Sequence, residues 1–201
     1  MPRSPITSPT GRVLHHQGTR TTTPKESAEA KVIRIALVKK TRLEENEEHL
    51  ANKNVAAFLK AIAGAEGGGY DFKYGAVKGK RNDPWRFVDM STHPGPGAGG
   101  RSTAAEMYQI TVDTWRDHGG KMGLTDFSPR TQDLIAVEML RSVSVIDEIE
   151  AGDVAGAMPR SAAKWAALPM GPGMANKYPP QPYIPYDDFL AAYRAAGGTT
   201  K

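Results

Sequence analysis

Cysteine is absent from the 201 residues. That excludes disulfides, thiolate nucleophiles and every zinc site built on sulfur. The five histidines stand at 15, 16, 49, 93 and 118 with no ligand spacing, so no metal is expected. Long apolar runs are also missing. The longest, VIRIALV at 32–38, is too short and too charged to span a bilayer. The opening MPRSPITSPTGR has no apolar core of a secretory signal, so passage to the outside is expected to depend on another agent. The glycine-rich HPGPGAGG at 93–100 lacks the lysine and the preceding strand of a phosphate loop, which argues against nucleotide binding. No cofactor is implied.

What is present is uneven. Residues 1–43 hold nine lysines and arginines against two acids, a balance of +7, while the other 158 residues hold 17 against 20. The basic character therefore belongs to the N-terminal part. Residues 1–26, with four prolines and many Ser and Thr, offer little to bury and read as a disordered basic arm. Such an arm suits an anionic surface or an acidic protein face, or it simply solubilises the chain. Residues 27–50 read as a helical extension capped by Ser27, with Ile33, Leu37 and Leu43 on one side and a solvated acidic run EENEEH. It carries no evident chemistry and could serve for docking. Residues 51–201 form the remaining domain.

Within that domain, Val55, Phe58, Leu59 and Ile62 recur at steps of three and four, the stripe of one buried helix face. One more turn along the stripe comes Glu66, and three glycines then stop the helix. Loss of solvation and the negative end of the helix dipole both disfavour an ionised carboxylate there. A carboxyl group that keeps its proton near neutral pH can act as a general acid. The competing reading is a helix-end glutamate turned to solvent.

Next, Tyr70, Phe72 and Tyr74 alternate with Asp71 and Lys73, a strand pattern, and Trp85, Phe87 and Val88 could pair with it. A small sheet of two or three strands is expected. Thr103-Ala-Ala-Glu106 fits a capping box opening a helix through Met107, Ile110, Val112 and Trp115. Ser128-Pro129 should open another through Leu140. Further helices are expected at 144–151, at 153–167 (with Asp153 as cap, Trp165 in the core and Pro159 as a potential break) and at 187–196, with a proline-rich loop at 169–186 between them. Helix, small sheet and then many helices define an α+β class.

Five segments in register now resemble one family. They are FLKAIAGAEGG, FVDMSTHP (87–94), STAAEMYQI (102–110), GLTDFSPRTQDLIAV (123–137) and WAALP (165–169). Over roughly 54–198 the chain resembles the lambda-type lytic transglycosylases among phage endolysins. Residues 1–50 have no counterpart. The resemblance implies a lysozyme-like, mostly helical fold with a small antiparallel sheet beside the cleft. It implies cleavage of the MurNAc-β-1,4-GlcNAc bond of peptidoglycan glycan strands. Glu66 would be the acid and then the base, and the sugar's own C6 hydroxyl would close a 1,6-anhydro ring.

The same resemblance places Tyr108 and Gln109 across the groove from the acid. Asp89, Ser91 and His93 are placed in a segment that either lines the groove or holds its loop. Tyr70 and Tyr74, at alternate positions, could face sugar rings or be buried. Glu106 has two readings: a capping-box glutamate reaching back to Thr103, or a second catalytic carboxylate, which would make the enzyme a hydrolytic muramidase. The implied setting is the host cytoplasm until release to the periplasm and cell wall. The alternative is a virion component docked through residues 1–50. Nothing demands more than a monomer.

Overall fold

The computed structural model describes residues 26–105 and 107–201. Most of the expected arm, and Glu106, lie outside the described residues. Chain contacts divide the molecule into a unit ending at Arg34 and a unit of Ile35–Lys201. In the first, Ser27 Oγ accepts from the Ala30 amide at 3.1 Å and so opens helix α1 (Ala28–Ala51), and Arg34 pairs with Glu26 at 2.9 Å.

The second unit begins inside α1. Its acidic run is not the solvated face the sequence suggested. Asn46 is fully buried, Glu45 accepts from Arg141, Glu47 from Arg130, and His49 meets Glu150 at 2.8 Å. Helix α2 (Lys53–Glu66) is capped by Asn52, whose side chain accepts from the amides of Asn54 and Val55. Its stripe of Val55, Phe58, Leu59 and Ile62 is buried as the periodicity requires. Phe58 meets Phe189 edge-on at 5.0 Å between ring centroids.

A composite helix, α3 (112–122), carries a π turn at Trp115–Gly119. There follow α4 (Pro129–Ser142), capped by Ser128 with proline at its first turn, then α5 (Ile146–Glu150), α6 (Val154–Ser161) and α7 (Tyr186–Ala195). Asp153 caps α6 by accepting from the Gly156 amide, and Pro159 is accommodated inside the helix, which ends two residues later. The core runs through α2, α4 and α7 with Phe127, Ile135, Trp165 and Tyr193 at its centre.

Two expectations are corrected. The small antiparallel sheet does not form: the described residues contain isolated bridges, Phe72 to Arg86, Lys73 to Ala105 and Ala105 to Ile110, but no strand. The Lys73 amide donates to the Trp85 carbonyl, whereas the next amide, Tyr74, donates to Ala104. These are the two sides of one extended segment, and on each side the pairing stops after a single bridge, so no ladder extends. The fold is mostly helical. The helix expected to open at Thr103 does not start there either. Thr103 Oγ1 accepts from Val112, nine residues on, and the helix begins only at Val112 with Thr111 as its cap. Gln109 has φ 53°, a left-handed conformation that no continuous helix from 103 could contain.

Candidate active site

Glu66 is the last residue of α2. The next residue, Gly67, ends the helix in the left-handed conformation (φ 74°), with its amide bonded back to Ala63 at 3.0 Å. The buried stripe of α2 fixes the direction of the glutamate, and the glycine turns the chain away and leaves the carboxyl half-buried at the edge of the core. It stands in the wall of an open cleft of about 710 Å³. Tyr74, Ser102, Gln109, Gln181 and Tyr183 share that wall, with an apolar floor at Ala166 and Ala167. Glu66 is the one carboxylate among the described residues that line it.

Tyr74 is held by backbone bonds on both sides: its amide donates to Ala104 and its carbonyl accepts from Ala98. Gly97 makes this possible. A Cβ there would sit 2.2 Å from the Tyr74 carbonyl oxygen. Gln109 immediately precedes Ile110, whose backbone exchanges two hydrogen bonds with that of Ala105. Its left-handed φ costs on the order of 1 kcal/mol or more and persists only if the surroundings fix it.

The adjacent residue does the fixing. Tyr108 is buried: its hydroxyl donates to Asp133 Oδ1 at 2.7 Å, and its carbonyl accepts from the Trp165 indole at 2.9 Å. It therefore supports the cleft from behind and contributes no surface to it. Tyr70, just past the glycine loop after Glu66, donates to the same oxygen of Asp133, also at 2.7 Å. Gln132 adds a bond to the Tyr70 carbonyl. One carboxylate on α4 thus ties together the two segments that carry Glu66 and Gln109.

The electrostatics match this burial. Desolvation raises the Asp133 pKa above the ordinary range, against the lowering effect of the two phenol donors. Burial, reinforced by Asp133, pushes Tyr70 up to about 12 and moves Tyr108 in the same direction. Both phenols stay protonated as donors.

The 87–94 segment lies apart from the cleft wall. Asp89 and Ser91 are exposed, and the Asp89 carboxylate accepts from the Ser91 amide to close a turn. His93 is buried, donating from Nε2 to the Ile110 carbonyl and accepting at Nδ1 from Gly95. Burial lowers its pKa, which fits a neutral ring holding the loop. Among the described residues no group of three or more His, Asp or Glu is placed to hold a metal.

Sequence reasoning picked out Glu66, Tyr74 and Gln109 but gave no role to Gln181, Tyr183 or Asp133. The first two lie in the proline-rich loop 169–186, whose lack of periodicity hides which residues face inward. The loop is anchored by Ile184, whose amide donates to Ala167, and by Asn176, which donates to the Ala166 and Gln181 carbonyls. Asp133 sits inside a helical pattern and gives no local signal.

A mostly helical fold with one half-buried glutamate at a helix end, overlooking an open cleft, defines a lysozyme-like protein. Comparison with known proteins agrees. The endolysin family model matches residues 56–200. The endolysin of Escherichia phage P2 is 32% identical over 165 residues, covering 73% of this chain and 94% of that protein. The endolysin of Escherichia phage lambda is 30% identical, covering 75% and 95%. Among solved structures, bacteriophage lambda lysozyme complexed with a chitohexasaccharide matches with a TM-score of 0.63 at 29% identity, over 75% of this chain and 97% of that one. The chain belongs to the endolysin family, phage enzymes that degrade peptidoglycan.

Proposed function

We propose that this endolysin cuts the MurNAc-β-1,4-GlcNAc bond as a lytic transglycosylase, with Glu66 as the only catalytic carboxylate. The observation that carries the reading is the single acid among the described residues lining the cleft. A hydrolase ordinarily needs two, one as acid and one as base or nucleophile. Protonated Glu66 donates to the glycosidic oxygen as the C1–O bond breaks. The carboxylate so formed takes the proton of the C6 hydroxyl as that oxygen bonds to C1. The glutamate recovers its proton, no water is consumed, and the product ends in a 1,6-anhydro ring.

Gln109 offers a donor and an acceptor to an N-acetyl or hydroxyl group. Tyr74 and Tyr183 present aromatic faces to a sugar chain. A glycan ligand fits the family, since the related lambda lysozyme is known with a chitohexasaccharide bound. The enzyme waits in the host cytoplasm and acts when it reaches the periplasm. Among the described residues no helix is long and apolar enough to cross a membrane.

Mass spectrometry of digested murein tests the reaction. Anhydro ends are lighter than reducing ends by one water, and a digest with only reducing ends would refute the transglycosylase. Activity lost on Glu106→Gln, together with reducing ends, would instead establish the two-carboxylate muramidase. Glu66→Gln keeps the shape and removes the acid, so murein cleavage should fall by roughly 10²–10⁴-fold.

A further inference from the structure

The family match begins at residue 56, and all of α1 precedes it. Five large apolar side chains in that helix, Val32, Ile33, Ile35, Leu37 and Val38, are between 40% and 68% exposed. Scattered apolar residues on a surface need no explanation, but five within seven consecutive positions do. Between Ala30 and Val38 the only polar residues are Lys31 and Arg34. They are three apart and share one side of the helix. Val32, Ile33, Ala36 and Leu37 occupy the opposite side, Ile35 borders it, and Val38 falls between the cations. Lys39 and Lys40 follow at once, and no acid occurs from Ala30 to Leu43.

We propose that this segment of α1 is an interfacial helix that docks on a bilayer rich in anionic phospholipid. Two features of the helix select that occupant. The apolar side asks to leave water, and the flanking cations ask for negative charge, which a phosphatidylglycerol surface supplies together. A second copy of the chain would bury the apolar side but bring Lys31, Arg34, Lys39 and Lys40 near their own like charges. The nine residues 30–38 rise only about 14 Å, against a hydrocarbon core of about 30 Å, so the helix lies in the interface without crossing it. Long basic side chains can extend from that depth to the headgroups. The further basic residues of 1–25 add to the same attraction, since the balance over 1–43 is +7.

The test uses the full chain and co-sedimentation with vesicles. Phosphatidylcholine vesicles containing phosphatidylglycerol should bind it at least about tenfold more tightly than pure phosphatidylcholine, and added salt should weaken the binding. The double variant Ile33→Asp/Leu37→Asp should lose about tenfold in vesicle affinity while cleaving purified murein at the parent rate. Ile33→Ala/Leu37→Ala, which preserves helix propensity, should lose affinity in the same direction and so guards against melting of the helix. No binding to anionic vesicles, or equal binding by parent and both variants, overturns the proposal. So does a parent dimer in solution that the variants dissolve without any vesicle binding, which would assign the surface to a second copy.

Discussion

Replacing Asp133 by alanine removes the acceptor for two phenol hydroxyls at once. Both bonds are 2.7 Å long, and Tyr108 is 2% exposed, so its hydroxyl has no water to turn to. Hydrogen bonds to a charged group contribute about 1.5–3 kcal/mol each, and leaving a buried donor unmet adds to the loss, so Asp133→Ala should destabilise the domain by about 3–5 kcal/mol. Asp133→Asn keeps an oxygen at the same place and should cost about 1 kcal/mol or less near neutral pH. Burial raises the folded-state pKa of Asp133. Its stabilising effect is therefore complete below the ordinary aspartate pKa and is lost as pH rises through the raised folded value. The asparagine variant lacks that term, so the stability of the parent relative to it should fall as pH rises through this window. Urea denaturation followed by tryptophan fluorescence at several pH values measures all three proteins. In the alanine variant Gln109 should lose its fixed backbone, so kcat on murein should fall even at temperatures where the protein stays folded. A cost below about 1 kcal/mol for alanine, or equal costs for alanine and asparagine, would refute the claim that this carboxylate ties the two walls together.

Arg42→Met would strip the bidentate partner from Glu138, a fully buried carboxylate 2.8 Å from Arg42 Nε. With Arg42 partly exposed, the expected cost at neutral pH is about 2–4 kcal/mol by thermal or urea melts. Burial pulls the Glu138 pKa up, but the Arg42 and Asn46 hydrogen bonds outweigh it and leave it lowered. The stabilisation is present above the ordinary glutamate pKa and lost as pH falls through the folded value, so the variant and parent should converge in acid. Gly97→Ala should drive a methyl into the Tyr74 carbonyl, reducing stability by about 1–3 kcal/mol and displacing Tyr74 from the cleft, read as a raised KM. Phe58→Ala, between Phe189 and Tyr193, should cost about 3–5 kcal/mol and leave the cleft residues in place in whatever fraction stays folded.

The sequence by itself determined most of the helices and the place of Glu66 at the end of α2. Three-and-four spacing in α2, the caps at Ser27, Ser128 and Asp153, and the glycine stop after Glu66 are local features, set by hydrogen bonds and burial within a few residues. Any chain with that pattern must point residue 66 along the buried stripe. The charge asymmetry was equally plain in the sequence. Tertiary structure alone decided the rest. The strand pattern at Tyr70–Tyr74 could not reveal that each pairing would stop after a single bridge, because pairing is a property of partners far away in the chain. The helix expected from Thr103 gave way to a left-handed Gln109 for the same reason: Asp133 and Trp165, distant in sequence, hold Tyr108 in a place no helix through 103–111 would reach. Local chemistry fixes which residues can form an element, and long-range contacts choose among the conformations that this leaves nearly equal in energy.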